Sequence, residues 1–359
     1  MILTTIAITS VGCPGASTFL KQIKTNCPNV KLVGLDTNPY AIGRYICDEF
    51  SVIPFAEESH FIEGIQKIIN IYKPNLLWVI NSKELLPVAK WVELNGSNII
   101  DGCRVITQSE ESIQLAENKY ELYQNCTNLS IKVPKYKSFS SLNEFDDAVK
   151  YFTSQSIYNV CIKPSKSSGS RGFRVISLSD DDSISKTYID EFDKFLNEKP
   201  AQEVVISIDK ARKLFSTRTN FEEMLLMEYV QGICLDVMAF LDHETHQPLL
   251  ISQKTRETSR SGVIMSGEHV WEEYIPSIIS MLSSKLSLSG FNGFQFIGEN
   301  LIEINPRVSS FIYTKEWSEP SFALKYYLGE FSSEDLIRLQ TKYPLGARLI
   351  RYFDCYTQQ

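Results

Sequence analysis

Two short stretches of the chain carry residue types that could do chemistry at a useful spacing. The first is Lys163-Pro164-Ser165-Lys166-Ser167-Ser168-Gly169-Ser170-Arg171-Gly172. An expected strand, Asn159 to Pro164, delivers a lysine, and the small residues after it let backbone N–H groups approach a polyphosphate. Taken alone, the stretch reads equally well as a flexible hairpin loop with cations. The second runs from Gln295 to Arg307 as an alternating apolar and polar hairpin. Glu303 and Asn305 stand two apart on a strand, hence on one side, and Gln295 can face the same way while Phe296, Leu301, Ile302 and Ile304 supply apolar contacts. Oxygen ligands that leave several positions for water or phosphate suit Mg2+, and Arg307 adds a fixed cation for a transferring phosphoryl group. Without the lysine loop, this hairpin would read as a half-solvated element whose polar side needs no function.

The elements that must position these residues follow from periodicity. Ile2 to Ile8, Lys31 to Leu35, Leu76 to Ile80 and Val105-Ile106 read as strands, and Ala16 to Thr25, His60 to Tyr72 and Lys83 to Leu94 as helices between them. Strands alternating with helices imply a parallel, doubly wound sheet with a ligand crevice at the carboxyl ends of its strands. Gly12 to Ser17, Asp36 to Pro39 and Asn81 to Glu84 would emerge there. Gly12-Cys13-Pro14-Gly15-Ala16-Ser17 fits neither nucleotide fingerprint, G-x-G-x-x-G or G-x-x-x-x-G-K-[ST], and reads more simply as a tight turn. Further on come a helix or helix pair from Ser109 to Gln124, a helix from Asn143 to Phe152 and a strand from Phe173 to Leu178. Residues 183 to 222 have weak periodicity and many charges, and read as helices plus a mobile insertion. Strands are expected at Leu225 to Val230, Leu235 to Leu241 and Leu249 to Gln253, and a helix at Glu272 to Leu286.

Composition excludes several classes. The 359 residues hold 36 Lys and Arg against 43 Asp and Glu, so bulk charge does not recruit nucleic acid. No apolar run approaches the roughly 18 residues that span a bilayer. No Lys or Arg precedes Lys21, so a secretory leader with a basic start is not expected. The eight cysteines are scattered without C-x-x-C spacing, which indicates neither a disulfide framework nor a zinc knuckle and suits a reduced, cytoplasmic protein. Asp242-His243-Glu244-Thr245-His246 reads as a hairpin turn rather than a metal site.

The two stretches, with others in order between them, resemble the ATP-grasp enzymes, in the branch similar to the carbamoyl-phosphate synthetase large chain and biotin carboxylase. Asn118-Lys119-Tyr120 matches the place where that family carries Asp-Lys or Asp-Arg before a helix. Lys163 to Gly172 resembles its glycine-rich phosphate loop, Met227-Glu228-Tyr229-Val230-Gln231-Gly232 its adenine hinge, and Ile302-Glu303-Ile304-Asn305-Pro306-Arg307 its metal strand. Lys254-Thr255-Arg256-Glu257-Thr258-Ser259-Arg260 resembles its arginine-rich strand and loop facing the acceptor.

The resemblance implies a mixed α/β and α+β fold: a Rossmann-like pre-ATP-grasp domain (1–113), a small lid subdomain with the phosphate loop and an insertion (114–225), and a carboxyl-terminal subdomain with the metal strand (226–359). It implies that Lys119 and Lys163 contact ATP phosphates, that Ser168, Gly169 and Ser170 close over them, and that Glu228, Tyr229 and Val230 meet adenine. Asp236 is the candidate ribose contact, one step later than the family's usual acid. Gln295, Glu303 and Asn305 would hold one or two Mg2+ ions, with Mn2+ as a substitute. Arg307 would steady an acyl phosphate, and Lys254, Arg256 and Arg260 would bind a substrate carboxylate or the γ-phosphate. The implied activity is an ADP-forming carboxylate–amine ligase acting on small molecules, with homodimerisation through the first domain as the association the family offers. Two alternatives stay open: a carboxylase or carbamoyl-type enzyme using bicarbonate, and a nucleotide-binding regulator with a degenerate site.

Overall fold

The computed structural model describes residues 4–166, 171–178, 195–196, 205–260, 263–309 and 313–352. Three sheets follow one another along the chain. The first comprises β1 (Thr4–Ile8), β2 (Val30–Asp36), β3 (Glu49–Val52), β4 (Leu76–Trp78), β5 (Ile99–Ile100) and β6 (Cys103–Ile106). Its order is β3-β2-β1-β4-β6-β5, parallel except for the β5–β6 pair. Helices α1 (Ala16–Asn26), α2 (Phe61–Tyr72) and α3 (Ser82–Leu94) connect its strands. In α2 the buried Phe61, Ile65, Ile68 and Ile69 recur at helical spacing and seat the helix on the sheet. Strand order reverses between β1 and β4, which opens a crevice at their carboxyl ends.

The chain then passes through α4 (Glu110–Glu117) and α5 (Lys119–Asn128). The second sheet contains β7 (Tyr136–Phe139), β8 (Asn159–Pro164), β9 (Arg174–Ser177), β10 (Val205–Ser207) and β11 (Met224–Glu228), in the order β10-β9-β8-β11-β7, with α6 (Leu142–Ser154) against it. The third contains β12 (Cys234–Leu241), β13 (Pro248–Arg256), β14 (Thr258–Arg260), β15 (Val263–Val270), β16 (Gly290–Ile297), β17 (Asn300–Asn305) and β18 (Arg348–Ile350). Its main path is β14-β15-β13-β12-β16-β17, and β18 pairs with β15.

Period-two alternation lets this third sheet serve two cores at once. From β12, Met238 and Phe240 face a cluster shared with Ile6, Ile8 and Trp78 of the first sheet. Val237, Ala239 and Leu241 face another, shared with Leu225 and Met227 of the second sheet and with the helix Ile275–Lys285. Trp78 stacks on Phe291 with ring centroids 6.0 Å apart.

Several sequence expectations need correction. Strands β3 and β5 were not foreseen, because two to four residues carry too few periods to register. Within 183–222, read as helices plus an insertion, the described residues include the strand β10 followed by the helix Ile208–Phe215. The stretch from Lys254, expected as a strand and loop, holds two strands: Lys254 to Arg256 complete β13 and Thr258 to Arg260 form β14. The long strand β15 and the helices Glu319–Tyr327 and Ser333–Gln340 were also missed. Among the described residues no helix is long and apolar enough to cross a membrane.

Candidate active site

Of the expected helix or helix pair the structure shows the pair, and Asn118 anchors the break between α4 and α5. Its side chain caps α5 by accepting from the amides of Tyr120 and Glu121. The same Oδ1 accepts from Ser165 Oγ at 2.8 Å, and the Lys119 amide donates to the Ser165 carbonyl at 2.9 Å. The start of α5 is thereby latched to the end of β8, which brings Lys119 and Lys163 into the same interior; they are 4% and 7% exposed.

Lys163 Nζ donates to Tyr123 Oη at 3.2 Å and to the Ile302 carbonyl at 3.5 Å, and Tyr123 Oη donates to that carbonyl at 2.7 Å. Ile302 can serve both because of a bulge: Gln295 faces Glu303 and Phe296 faces Leu301, so Ile302 is the extra residue of β17. The expectation that Ile302 packs like Phe296, Leu301 and Ile304 is therefore corrected. Those three are buried, whereas Ile302 is half-buried and offers its carbonyl to the site.

Register assembles the rest. Asp236 faces Lys254 on β13 and Gln295 on β16, Gln295 faces Glu303, and Gly293 faces Asn305. One side of the sheet thus carries Lys254, Asp236, Gln295, Glu303 and Asn305 together, as the spacing within 295–305 predicted. Asn305 Nδ2 donates to Glu303 Oε1 at 3.1 Å. Asp236 has both oxygens in a two-pronged pair with Arg256, at 2.7 and 2.9 Å. This pairing was not foreseen in the sequence, and it engages the carboxylate expected at a ribose. Lys254 is buried beside it, 1% exposed.

The charges act on one another. Burial pushes the Glu303 carboxyl upward, but Lys119 and Lys163, the Asn305 hydrogen bond and Arg256 hold it below its ordinary value. Burial and the neighbouring Lys119 pull Lys163 down to about 8, against the opposing pull of Cys161 and Glu303. Lys119 is lowered by burial although Glu303 and Glu117 favour its charge. Two buried ammonium groups thus lean on the Glu303 carboxylate.

Arg307 extends the site toward the first sheet: its Nε donates to Ser82 Oγ at 2.6 Å, at the first residue of α3, and its NH1 to the Val308 carbonyl. In the hinge, the Glu228 amide donates to the Lys135 carbonyl and the Tyr229 amide to that of Asn159.

Residues 198–310 match the ATP-grasp domain family. That part of the chain is similar to an ATP-grasp domain. The chain is 25% identical over 268 residues to the carbamoyl phosphate synthase large chain of Clostridium acetobutylicum, a match covering 70% of this chain but 21% of that protein, so it spans about a fifth of its curated relative. Its fold resembles that of an N5-carboxyaminoimidazole ribonucleotide synthetase solved with ADP, with a TM-score of 0.62, 14% identity and coverage of 96% of this chain and 78% of the other. It also resembles an L-amino acid ligase from Bacillus licheniformis, with a TM-score of 0.61, 11% identity and coverage of 92% and 77%.

The donor set of this chain fits the metal that its resemblance implies. Among the described residues no group of three or more His, Cys, Asp or Glu could cage an ion. Glu303 with the amides of Asn305 and Gln295 gives one carboxylate and neutral oxygens, a set that suits Mg2+ shared with phosphate rather than held by protein alone.

Of the expected residues, Ser168, Gly169 and Ser170 lie outside the described residues, and of Arg260 only the backbone is described. Tyr123 was missed, although it follows Lys119 by four positions on α5 and so shares its face. Ser82 lies in the Asn81 to Glu84 stretch expected at the crevice, but its link to Arg307, which spans 225 positions, left no sequence signal.

Proposed function

We infer that the protein is an ATP- and Mg2+-dependent ligase that activates a small-molecule carboxylate as an acyl phosphate and joins it to an amine, releasing ADP and phosphate. The observation that carries this reading is the buried pair Lys119 and Lys163 on the Glu303 carboxylate. Burying ammonium groups costs several kcal/mol each unless anions compensate, and a polyphosphate supplies them. Positioning and charge neutralisation dominate phosphoryl transfer, so a site rich in fixed cations needs no histidine base.

In this reading Lys119 and Lys163 hold the phosphates, and Ser168, Gly169 and Ser170 cover them. The hinge Glu228-Tyr229-Val230 meets adenine; with the amides of Glu228 and Tyr229 engaged, Val230 is its donor. Gln295, Glu303 and Asn305 orient Mg2+, which when bound neutralises phosphate charge. Arg307 steadies the acyl phosphate. Lys254, Arg256 and Arg260 face the substrate carboxylate, with Asp236 fixing the Arg256 fork rather than reaching a ribose. The three units 1–113, 114–225 and 226–359 are the proposed domains. The likeness to an L-amino acid ligase favours an amine acceptor. The carbamoyl phosphate synthase relative keeps bicarbonate as the second reading.

The test is ADP release with Mg·ATP and pooled amino acids and other carboxylates, with and without amine acceptors. Acceptor-dependent release is expected, and it should vanish when Glu303→Ala is combined with Asn305→Ala. Unchanged turnover in that double variant would sink the site assignment, and release stimulated by bicarbonate without amine would favour the second reading.

A further inference from the structure

One turn beyond Lys119 on α5, Tyr123 is 0% exposed and touches two of the strands that carry the candidate site. Its Oη accepts from Lys163 Nζ of β8 at 3.2 Å and donates to the Ile302 carbonyl of β17 at 2.7 Å. A phenol has one proton, and here that proton is committed to the carbonyl, so the oxygen lone pairs are left for the ammonium. Burial raises the phenol well above its ordinary value, with Cys161, Glu303 and other neighbours adding to the rise, so the proton stays in place.

The ring is braced by Tyr136 of β7, with centroids 5.1 Å apart, and Tyr136 Oη accepts from Gln124 of α5 at 2.8 Å. Lys163 Nζ lies 5.7 Å from the Tyr123 ring centroid, so ring and hydroxyl both favour its charge. On β17 the acceptor exists because Ile302 is the bulged residue, whose carbonyl is turned from the ladder toward the site. The strand is held on both sides of that bulge. The Leu301 amide donates to the Lys132 carbonyl at 2.9 Å, and Glu303 faces Gln295. The Ile302 carbonyl and the Glu303 amide share one planar peptide unit. Fixing the ammonium to that carbonyl therefore fixes it against the residue whose carboxylate is the proposed metal ligand.

A buried tyrosine needs a partner for its hydroxyl, and the Ile302 carbonyl alone meets that need. The second bond, to a cation placed for phosphate, goes beyond it. We propose that Tyr123 is a positioning residue: it pins Lys163 to the strand that bears Glu303, so that phosphate on the ammonium and a divalent cation at Glu303 meet at one set spacing and each tightens the other. The proposal rests on the reading of this face as a Mg·ATP site. It adds that part of the cooperation between the two ligands comes from a residue that touches neither. Without the phenol oxygen, Lys163 keeps its charge and still attracts phosphate, but its flexible stem is free to carry the ammonium off the spacing the cation needs. By linkage, what the cation loses in strengthening the nucleotide, the nucleotide loses in strengthening the cation.

The experiment uses the full chain and the β,γ-methylene analogue of ATP, titrated by calorimetry with excess EDTA and again with saturating Mg2+. The ratio of the two dissociation constants reads the coupling. Tyr123→Phe keeps the ring against Tyr136 and deletes the hydroxyl. Its metal-free dissociation constant is expected within about twofold of the wild type, while its ratio falls about tenfold. In a Glu303→Gln background Mg2+ should already make little difference, and adding Tyr123→Phe should change nothing more. Lys163→Arg tests the link from its other end, since a planar fork cannot sit on one phenol oxygen as an ammonium does, and its ratio should fall too. The wild-type ratio retained in either single variant would overturn the proposal. So would an equal loss with and without Mg2+ in Tyr123→Phe, which would make the tyrosine a support of the fold alone. A wild-type chain that binds the analogue in neither condition, or binds it equally in both, would refute the Mg·ATP reading itself and the role of Tyr123 with it.

Discussion

At the face of the third sheet, Lys119, Lys163 and Glu303 lie close enough to shift one another, whereas at the carboxyl end of the first sheet Glu84 meets hydroxyls and a second carboxylate. Burial is severe in both places, yet the outcomes differ. Glu303, with two cations near it, stays ionised below its ordinary range. Glu84, with hydroxyls and the Asp36 carboxylate but no cation among the groups that shift it, is held protonated up to about pH 7. The protein tolerates a buried charge where an opposite charge is fixed nearby and otherwise keeps the group neutral.

The largest expected effect breaks the cationic side of this contrast. Lys163→Met should reduce ADP release by about 10²–10³-fold and remove the rise in melting temperature that Mg·ATP gives the wild type. Equal protection of the variant by Mg·ATP would show that phosphate does not sit on this face.

Stability against pH sharpens the anionic side. Because Glu84 titrates at about 7 in the folded chain and at 4.5 ordinarily, its contribution is fully present below pH 4.5 and is lost as pH rises toward 7. Glu84→Gln should therefore match the wild type at pH 4 and exceed it by about 3 kcal/mol at pH 8, read from denaturant midpoints. Parallel stability curves would remove the raised titration from the argument.

A smaller effect links ATP to protons. Lys163 titrates at about 8 in the free chain, and phosphate favours its charged form, so ATP binding at pH 8 should take up about half a proton. Calorimetry in two buffers of different ionisation enthalpy measures that uptake, and identical heats in both would contradict it. Smallest of all, Ser82→Ala removes one hydrogen bond from Arg307 and should cost about 1 kcal/mol, seen as a roughly fivefold drop in turnover.

What could be read from the sequence tracks the range of the interaction. The strand–helix alternation and the shared side of Gln295, Glu303 and Asn305 are local, set by periods of 3.6 and 2, and they needed no third dimension. The bulge at Ile302 was hidden because nothing in the residue types marks which strand carries the extra residue. Asp236 looked like a displaced ribose acid because its partner Arg256 lies one strand away. Glu84 emerged in the crevice from strand order alone, but its burial depends on Thr9, Ser10 and Asp36, which two other strands bring to it.

The shared core of the first and third sheets carries a further consequence. Trp78 sits among Phe19, Phe291 and Tyr327, with ring centroids 5.1, 6.0 and 5.7 Å away, so its binding partners come from both ends of the chain. Cutting the chain after the first sheet would leave that indole and Ile6 and Ile8 facing water. The amino-terminal sheet is therefore no cassette to be shuffled intact between proteins, and a change on its inner face selects for answering changes more than two hundred residues downstream, at Phe291 and Tyr327.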